Sequence, residues 1–368
     1  MRWLERQLSR SPSSGAFIPE VDGMRFLAIL GVLIVHTAGD WYMPDANWSF
    51  HRGLLVRLMG SGWFGVQIFF VLSGFIVTLP FARHHLRGIA APDRKRYFIR
   101  RLTRIEPPYV IALTAYYLLS GRLGEYLPDY LTGLLYSHHY FYTTLNPVAP
   151  ITWSLEIEVV FYVLAPWLTL IYRVRGRWLL ELLLVVGPAW FSSHYSLPGW
   201  AQNTFVVMIQ YFFAGMLLAD FYASGLLRRT AQIGWDLGAA AATIGIAAIL
   251  AGMPGTWAPY YWLTPLLIMI LFTGIMSGRY ANWFFRLKPV TIIGGMCYTL
   301  YLSHMAVITI IAGRLKPPVS SPVTYCLLVI PIMILLAIPL YLLIEKPFMT
   351  GKAIQLRGWL PYRAAEGT

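Results

Sequence analysis

The sequence predicts an all-α fold: a polytopic integral membrane bundle of about ten transmembrane helices with both termini in the cytoplasm. Hydrophobic residues make up 57% of the chain and charged residues only 12%, with a mean hydropathy of +0.58. A soluble domain carries about twice that share of charged residues. The apolar residues come in runs about as long as a ~30 Å hydrocarbon core requires, and the cations are distributed unevenly between the loops. Together these observations predict one transmembrane domain over residues 1–350, followed by a polar cytoplasmic tail over 351–368.

Ten apolar segments are each about long enough to cross the bilayer, some of them only with tilt or with polar ends. In chain order they lie near residues 24–41, 62–82, 105–120, 153–173, 178–193, 202–222, 232–252, 259–277, 291–312 and 322–345. An eleventh patch, 126–145, is short and rich in tyrosine and histidine, so we expect it to be re-entrant or interfacial. The first 20 residues are polar, and no small-residue cleavage site follows the first apolar run, so no cleavable signal peptide is expected.

The cationic residues predict the orientation. If the N-terminus is cytoplasmic, 23 of the 29 Lys and Arg residues lie in inner segments and five in outer loops. Loops rich in Lys and Arg stay on the cytoplasmic side, so both termini are predicted to be cytoplasmic and the protein to lie in the inner (cytoplasmic) membrane. Orientation and anionic membrane lipid also account for the net charge of +13, which therefore needs no nucleic-acid partner.

One arginine and one histidine stand out in the first apolar segment. Arg25 and His36 are separated by ten uninterrupted apolar residues, Phe26 to Val35. Eleven helical positions make about three turns, so both side chains lie on one face of the helix, ~16 Å apart along its axis. An ionisable side chain inside a membrane span is costly, and it is therefore a functional candidate by default.

Two further ionisable residues are predicted at the depth of His36. His304 approaches that depth from the inner side in the ninth span, and Glu158 approaches it from the outer side in the fourth. Each alone is readily satisfied by a backbone carbonyl or a buried water, but three at one depth favour chemistry or transport. Glu158 is then the carboxylate expected to orient the His36 imidazole.

A cluster of eight cations lies between the second and third spans: Arg83, Arg87, Arg94, Lys95, Arg96, Arg100, Arg101 and Arg104. It is either a positive-inside loop on anionic headgroups or a site for a phosphate-rich ligand, because arginine forks match phosphate oxygens. Residues 93–104 could form a short interfacial helix, after which Pro107 and Pro108 would turn the chain into the third span. The sequence has no glycine-rich phosphate loop, Walker sequence or dinucleotide fingerprint, so side chains would hold any nucleotide.

Four other polar residues have simpler interpretations. Asp22 lies three residues before Arg25, where an ion pair on the same helix face is expected. Glu345 ends the last span at the cytoplasmic side, where it is either solvated or paired with an arginine of the cluster. Cys297 and Cys326 lie in apolar segments, so neither a disulfide framework nor a metal site is expected.

Six stretches, in order along the chain, resemble the motifs of the acyltransferase 3 family of integral membrane acyltransferases. They are IPEVDGMRFLAILGVLIVH (18–36), GVQIFFVLSGFIVT (65–78), RRLTRIEPPY (100–109), WSLEIEVVFYVLAP (153–166), YTLYLSHMAVI (298–308) and IEKPF (344–348). Each motif is weak by itself, but six in sequence are specific. Departures from the family pattern, which leave the acceptor open, lie at Gln67, Val159, Val160, Ser303, Met305 and Ala306. No fused hydrolase-like (SGNH-type) domain follows the last span, so this member is expected to act alone.

The resemblance implies transfer of an acyl group, usually acetyl, from cytoplasmic acyl-CoA to a carbohydrate, glycolipid or other acceptor, often beyond the outer face. No metal is implied. By motif position, Arg25 and His36 carry over as the essential pair, and Glu158 and Glu345 as the motif acids. The arginine motif, predicted to hold acyl-CoA together with Arg25, comprises Arg100, Arg101 and Arg104. Substrate contacts are expected from the same motifs at Trp153, Ser154, Tyr301 and His304.

Three interpretations of function remain open at this point. In a transferase, His36 is either a general base for an acceptor hydroxyl or a covalent carrier of the acyl group. A proton-coupled transporter or exporter of a glycan or small molecule is the alternative, because intramembrane His and Glu side chains also suit a proton relay. Such a transporter would form no covalent product. A glycan-binding scaffold without activity would leave the ionisable layer unexplained. The sequence is compatible with an oligomer.

Overall fold

A computed structural model describes residue 8 and residues 17–43, 53–195, 204–228, 230–252, 258–315 and 321–349. Across these residues the secondary structure is helical, with no β-strand. The predicted polar tail, 351–368, lies outside the described residues.

The α-helices have the following bounds: α1 Pro19–Tyr42, α2 Leu54–Gly60, α3 Phe64–Arg87, α4 Arg94–Leu119, α5 Leu127–Leu134, α6 His138–Phe141, α7 Trp153–Leu168, α8 Arg177–His194, α9 Phe205–Ser224, α10 Ile233–Gly252, α11 Thr264–Ser277, α12 Tyr280–Phe285, α13 Lys288–Gly295, α14 Cys297–Leu315, α15 Pro322–Leu340 and α16 Lys346–Met349. Short 3₁₀ turns connect several of them, and a π-helical turn, Tyr341–Glu345, joins α15 to α16.

The structure confirms a multi-pass helical membrane protein. Within the described residues, seven helical segments are long and apolar enough to cross a membrane, and a bent pair of helices makes an eighth. The predicted spans near 105–120 and 178–193 are also helices, α4 and α8. They fall short as span candidates because α4 begins with arginine-rich turns and α8 has polar ends, Arg177 and His194. The count of ten spans and the cytoplasmic termini stay predictions.

The arginine-rich segment differs from its prediction. In place of a separate interfacial helix followed by a turn, α4 runs without a break from Arg94 through Pro107 and Pro108. The Asp93 carboxylate caps its first turn by accepting the Arg96 N–H at 3.2 Å. Prolines are tolerated in membrane helices where neighbouring helices support the backbone, and Pro108 and Tyr109 are buried against such neighbours. The arginines from Arg94 to Arg104 and the third predicted span therefore belong to one continuous helix.

The ninth predicted span is a broken helix. Helices α13 and α14 meet at an angle of 70° around Met296. Gly294 and Gly295 immediately precede the break, and an added Cβ at Gly294 would lie 1.8 Å from the Asp22 carbonyl oxygen. A glycine at this position thus lets α13 approach the start of α1. The break sets the direction in which α14 carries His304 into the bundle.

The patch 126–145 forms two short helices, α5 and α6, and not a span. Leu127, Leu131 and Leu135 are exposed along one stripe of α5 and its C-cap, 44%, 49% and 75% respectively. On the side that faces the bundle, the Gly133 backbone carbonyl accepts a hydrogen bond from the Tyr109 hydroxyl at 2.7 Å, and the Asn146 amide donates to the Asp129 backbone carbonyl at 2.9 Å. The re-entrant or interfacial placement of this patch stays a prediction.

The centre of the bundle depends on close contact between α3 and α9. An added Cβ at Gly74 would lie 2.3 Å from the Phe212 carbonyl oxygen, and one at Gly215 would lie 2.1 Å from the Val71 carbonyl oxygen. The ring of Phe70 stacks on Phe212 at a centroid distance of 4.8 Å beside this contact. Small residues let membrane helices approach until their backbones touch. This contact holds α3, which carries one wall of the site, in position.

We expect Gly215→Ala to destabilise the purified protein by about 2 kcal/mol or more, because overpacking would force the two helices apart. Gly234→Ala is the matched control, since its added methyl group meets open space on α10. Thermal unfolding in detergent measures both. Equal unfolding temperatures for the two variants would contradict the close α3–α9 contact.

Candidate active site

Two histidines from different helices lie side by side within the bundle. The ring centroids of His36 on α1 and His304 on α14 are 5.0 Å apart, with planes tilted by 46°. His304 is fully buried, and His36 is half-buried. The prediction that these two residues share one depth is therefore confirmed.

The tautomer of His304 follows from its hydrogen bond. Its Nδ1 lies 2.7 Å from the Tyr301 carbonyl oxygen. A carbonyl only accepts, so Nδ1 carries a hydrogen, and in the neutral ring the lone pair resides on Nε2. Among the described residues, Nε2 of His304 has no hydrogen-bond partner. The histidine pair thus contains a buried ring nitrogen, His304 Nε2, that has a lone pair and no partner among the described residues.

The structure does not bring Glu158 to the histidine pair. Its carboxylate accepts hydrogen bonds from the Ser73 and Tyr162 hydroxyls. The contacts of Glu158 therefore lie on α3 and on its own helix, and the predicted partnership with the His36 imidazole does not form in this structure.

Glu158 instead lines a cavity of about 100 Å³ between five helices. Its charged and hydroxyl-bearing lining comprises Arg25, Ser73, Arg101, Arg104, Ser154, Glu158, Tyr162, Tyr298 and Tyr301. Three cations thus converge from α1 and α4 on one enclosed space. Neither histidine is part of this lining.

The cavity arginines are held by neighbouring side chains. The predicted ion pair between Arg25 and Asp22 is confirmed, with the Asp22 side chain 2% exposed. The Arg101 guanidinium lies over the ring of Tyr162, 5.4 Å from its centroid. Arg100 does not line the cavity. Partial burial lowers its pKa, as do the neighbouring charges of Arg96 and Arg101. A bound polyanion would relieve this crowding of positive charge.

Tyr301 lies between the cavity and the histidine pair. Its hydroxyl donates to the Ile151 carbonyl at 2.7 Å and lies 2.6 Å from Ser154 Oγ. Its backbone carbonyl holds His304, and the two rings are 5.8 Å apart. Tyr301 therefore contacts both the cavity and His304. Trp153 lies outside the lining, edge-on to Phe70 at 6.4 Å.

The second motif acid, Glu345, is fully buried. Its Oε2 accepts the Thr299 backbone N–H at 3.1 Å and the Thr299 hydroxyl at 2.6 Å. The interpretation of Glu345 as a solvated helix-end charge is therefore wrong. The π-helical turn at the end of α15 directs the carboxylate inward to α14, where it braces the helix that carries Tyr301 and His304.

Sequence reasoning missed the hydroxyl groups that hold the site together. Ser73 and Tyr162 are uncharged and lie in apolar motifs, so the sequence did not mark them as site residues. The sequence did indicate one of these contacts. Tyr162 follows Glu158 by four positions, which places both side chains on one face of a helix. Within the described residues, no group of three or more His, Cys, Asp and Glu side chains is arranged to hold a metal ion.

Comparison with known proteins yields one family. The acyltransferase 3 family model, described as an acyltransferase domain, matches residues 18–342. A putative O-acetyltransferase of Staphylococcus aureus strain COL is 24% identical over 379 residues, covering 94% of this chain and 59% of the relative. The O-acetyltransferase OatA of S. aureus strain MRSA252 is 22% identical over 389 residues, covering 96% and 60%. The chain thus spans about three fifths of the length of these relatives. No solved structure matches.

We expect Glu345→Ala to lower the free energy of unfolding by about 2 kcal/mol, because the buried Thr299 N–H loses its charged acceptor. Glu345→Gln keeps an acceptor oxygen and should lose less. Thermal unfolding in detergent compares both with Glu125→Gln, which changes a carboxylate that is 62% exposed. An Ala variant as stable as the Glu125→Gln control would contradict the bracing role.

Proposed function

The chain belongs to the acyltransferase 3 family, and from that premise we propose that it transfers an acyl group, acetyl in the simplest case, from cytoplasmic acyl-CoA to a hydroxyl of a carbohydrate or glycolipid acceptor at or beyond the outer face. The observation that supports this most directly is the three-arginine cavity, which Tyr301 connects to a buried histidine pair. We place the enzyme in the cytoplasmic membrane, as the distribution of Lys and Arg favours.

The charge of the cavity lining supports acyl-CoA as the donor. CoA carries its phosphates at one end and its thioester at the end of a long thin arm. Arg25, Arg101 and Arg104 line the cavity and would bind the phosphate oxygens, because guanidinium groups form paired hydrogen bonds with them. The arm would then extend along the apolar part of the lining toward Tyr301.

In the proposed reaction, the thioester arm would extend past Tyr301, which lines the cavity and whose hydroxyl lies 2.6 Å from Ser154 Oγ. Because the same residue holds His304 through its backbone, it couples donor entry to the geometry of the histidine pair.

His36 supplies the chemistry in either of two routes. As a general base, it takes the acceptor hydroxyl proton while the oxygen attacks the thioester carbonyl. The C–S bond then breaks, and the CoA thiolate takes that proton. As an acyl carrier, a His36 nitrogen attacks the carbonyl first, the C–S bond breaks, and the leaving CoA thiolate takes the ring proton. The acceptor hydroxyl then attacks the acyl carbon, the bond between that carbon and the imidazole nitrogen breaks, and the hydroxyl proton returns to the ring. In both routes the lone pair of His304 Nε2 would share the proton on the neighbouring ring.

Family membership favours this transferase over the proton-coupled transporter that the sequence left open. The histidine pair alone suits either function. The arginine cavity distinguishes them, because an exporter coupled to protons has no need of a cytoplasmic polyanion site. A covalent product formed only in the presence of acyl-CoA would decide in favour of the transferase.

We expect His36→Ala to abolish transfer of label from acetyl-CoA to acceptor while the protein still binds CoA. Inverted membrane vesicles loaded with candidate glycans, with labelled acetyl-CoA added at the cytoplasmic face, measure transfer. His194→Ala is the matched control, because that imidazole is exposed at the end of α8 and lies against Trp190 of its own helix, with ring centroids 4.6 Å apart. Full transfer by His36→Ala would refute both routes.

We expect Arg101→Gln and Arg104→Gln each to raise the KM for acetyl-CoA about tenfold or more, since each loses a charge-assisted hydrogen bond to phosphate. Arg96→Gln is the control, because Arg96 is exposed on the same helix and does not line the cavity. Initial rates at varied acetyl-CoA concentration measure the effect. An equal rise for Arg96→Gln would indicate a general effect of cationic charge and no specific phosphate site.

A further inference from the structure

A polar and aromatic cluster lies one helical turn beyond His36 at the outer end of α1. The Tyr325 hydroxyl of α15 donates to Asp40 Oδ2 at 2.9 Å. The Trp41 ring lies against the same tyrosine, with centroids 5.6 Å apart. Tyr325 is fully buried, whereas Asp40 and Trp41 are half-buried. The carboxylate is therefore fixed in orientation and still accessible.

The position of Asp40 relative to His36 follows from helix geometry. They are four positions apart on one helix, so both point to the same face, ~6 Å apart along the axis. Arg25 lies on the other side of His36, at the end where the donor cavity is found. The donor approaches His36 from the Arg25 side, so the Asp40 side is left for the acceptor.

The chemistry of this cluster suits a sugar ring. A pyranose presents hydroxyl donors around its edge and C–H groups on its faces. An oriented carboxylate accepts hydrogen bonds from such hydroxyls more strongly than a neutral oxygen does. A partly exposed indole offers a flat apolar surface to the C–H face. Few, fixed polar groups beside an apolar surface are typical of small-molecule sites.

We propose that Asp40, oriented by Tyr325, and Trp41 form an acceptor subsite for a pyranose ring. Asp40 accepts a hydrogen bond from a hydroxyl next to the reacting one, which places the reacting hydroxyl at His36. Trp41 contacts the face of the ring. Tyr325 acts as a positioning residue through Asp40. The proposal rests on the proposed function and adds no covalent step to it.

The test uses proteoliposomes of the full chain with acetyl-CoA and acceptor on both sides of the membrane. The probes are four methyl pyranosides (gluco, galacto, manno and N-acetylglucosamine), a glucosyl diacylglycerol in the bilayer, and 1-propanol as an acceptor with a single hydroxyl. The pyranosides and the glycolipid distinguish a free sugar from a lipid-linked one. Asp40→Asn and Tyr325→Phe are compared with Glu125→Gln, which changes an exposed outer carboxylate.

We expect Asp40→Asn to raise the KM of the preferred pyranoside about tenfold, through loss of one charge-assisted hydrogen bond. The KM values of 1-propanol and acetyl-CoA should keep their wild-type values. Tyr325→Phe should change the pyranoside KM in the same direction but less, because the carboxylate remains. Glu125→Gln should leave all three unchanged.

Three results would each overturn the subsite. An unchanged pyranoside KM in Asp40→Asn is the first, and an equal rise of the 1-propanol KM in that variant is the second. The third is a wild type that acetylates 1-propanol but no pyranoside or glycolipid. Loss of acetyl-CoA hydrolysis by Asp40→Asn in the absence of acceptor would also overturn it, since an acceptor contact has no part in that reaction. A wild type that releases no CoA under any condition would instead refute the proposed function itself, and this outcome is recognisable without any variant.

Discussion

Ionisable groups inside an apolar bundle must find partners on neighbouring helices, and this constraint determines how the site is assembled. An unpaired polar group that is shielded from water costs free energy comparable to a lost hydrogen bond, and a charge costs more. Glu345 on the turn after α15 accepts from Thr299 on α14, and Glu158 on α7 accepts from Ser73 on α3. Each of these contacts joins two helices that are distant in the sequence. The helices of the site are therefore held at the same points where its polar side chains lie.

Tyr301 contacts several parts of the site through both its hydroxyl and its backbone carbonyl. Its hydroxyl reaches α7 and the preceding turn through Ser154 and Ile151, and its backbone carbonyl fixes the tautomer of His304. A single residue therefore contacts the donor cavity and supports the ring beside His36. In the proposed reaction, Tyr301 would couple occupation of the cavity to the geometry of the histidine pair.

The first helix arranges the proposed reaction in linear order. Arg25 lies at the donor cavity, His36 beside His304, and Asp40 at the outer end against Tyr325. All three project from α1, whose start is packed tightly by Gly294 against the Asp22 carbonyl. A rigid helix can keep such groups at fixed separations while the side chains around them move.

The sequence by itself determined the helical membrane class, the family, the same-face placement of Arg25 and His36, and the Asp22–Arg25 ion pair. These features depend on composition, on ordered motifs and on spacing within one helix, which are local properties of the chain. Only the tertiary structure decided that His304 is the neighbour of His36 and that Glu158 belongs to the arginine cavity. It also decided that Glu345 is buried against Thr299. The physical reason is that depth and partnership depend on where each helix enters the bundle and how it bends. The buried turn before α7 and the 70° break before α14 are set by contacts between distant segments, and no spacing along a single helix encodes them.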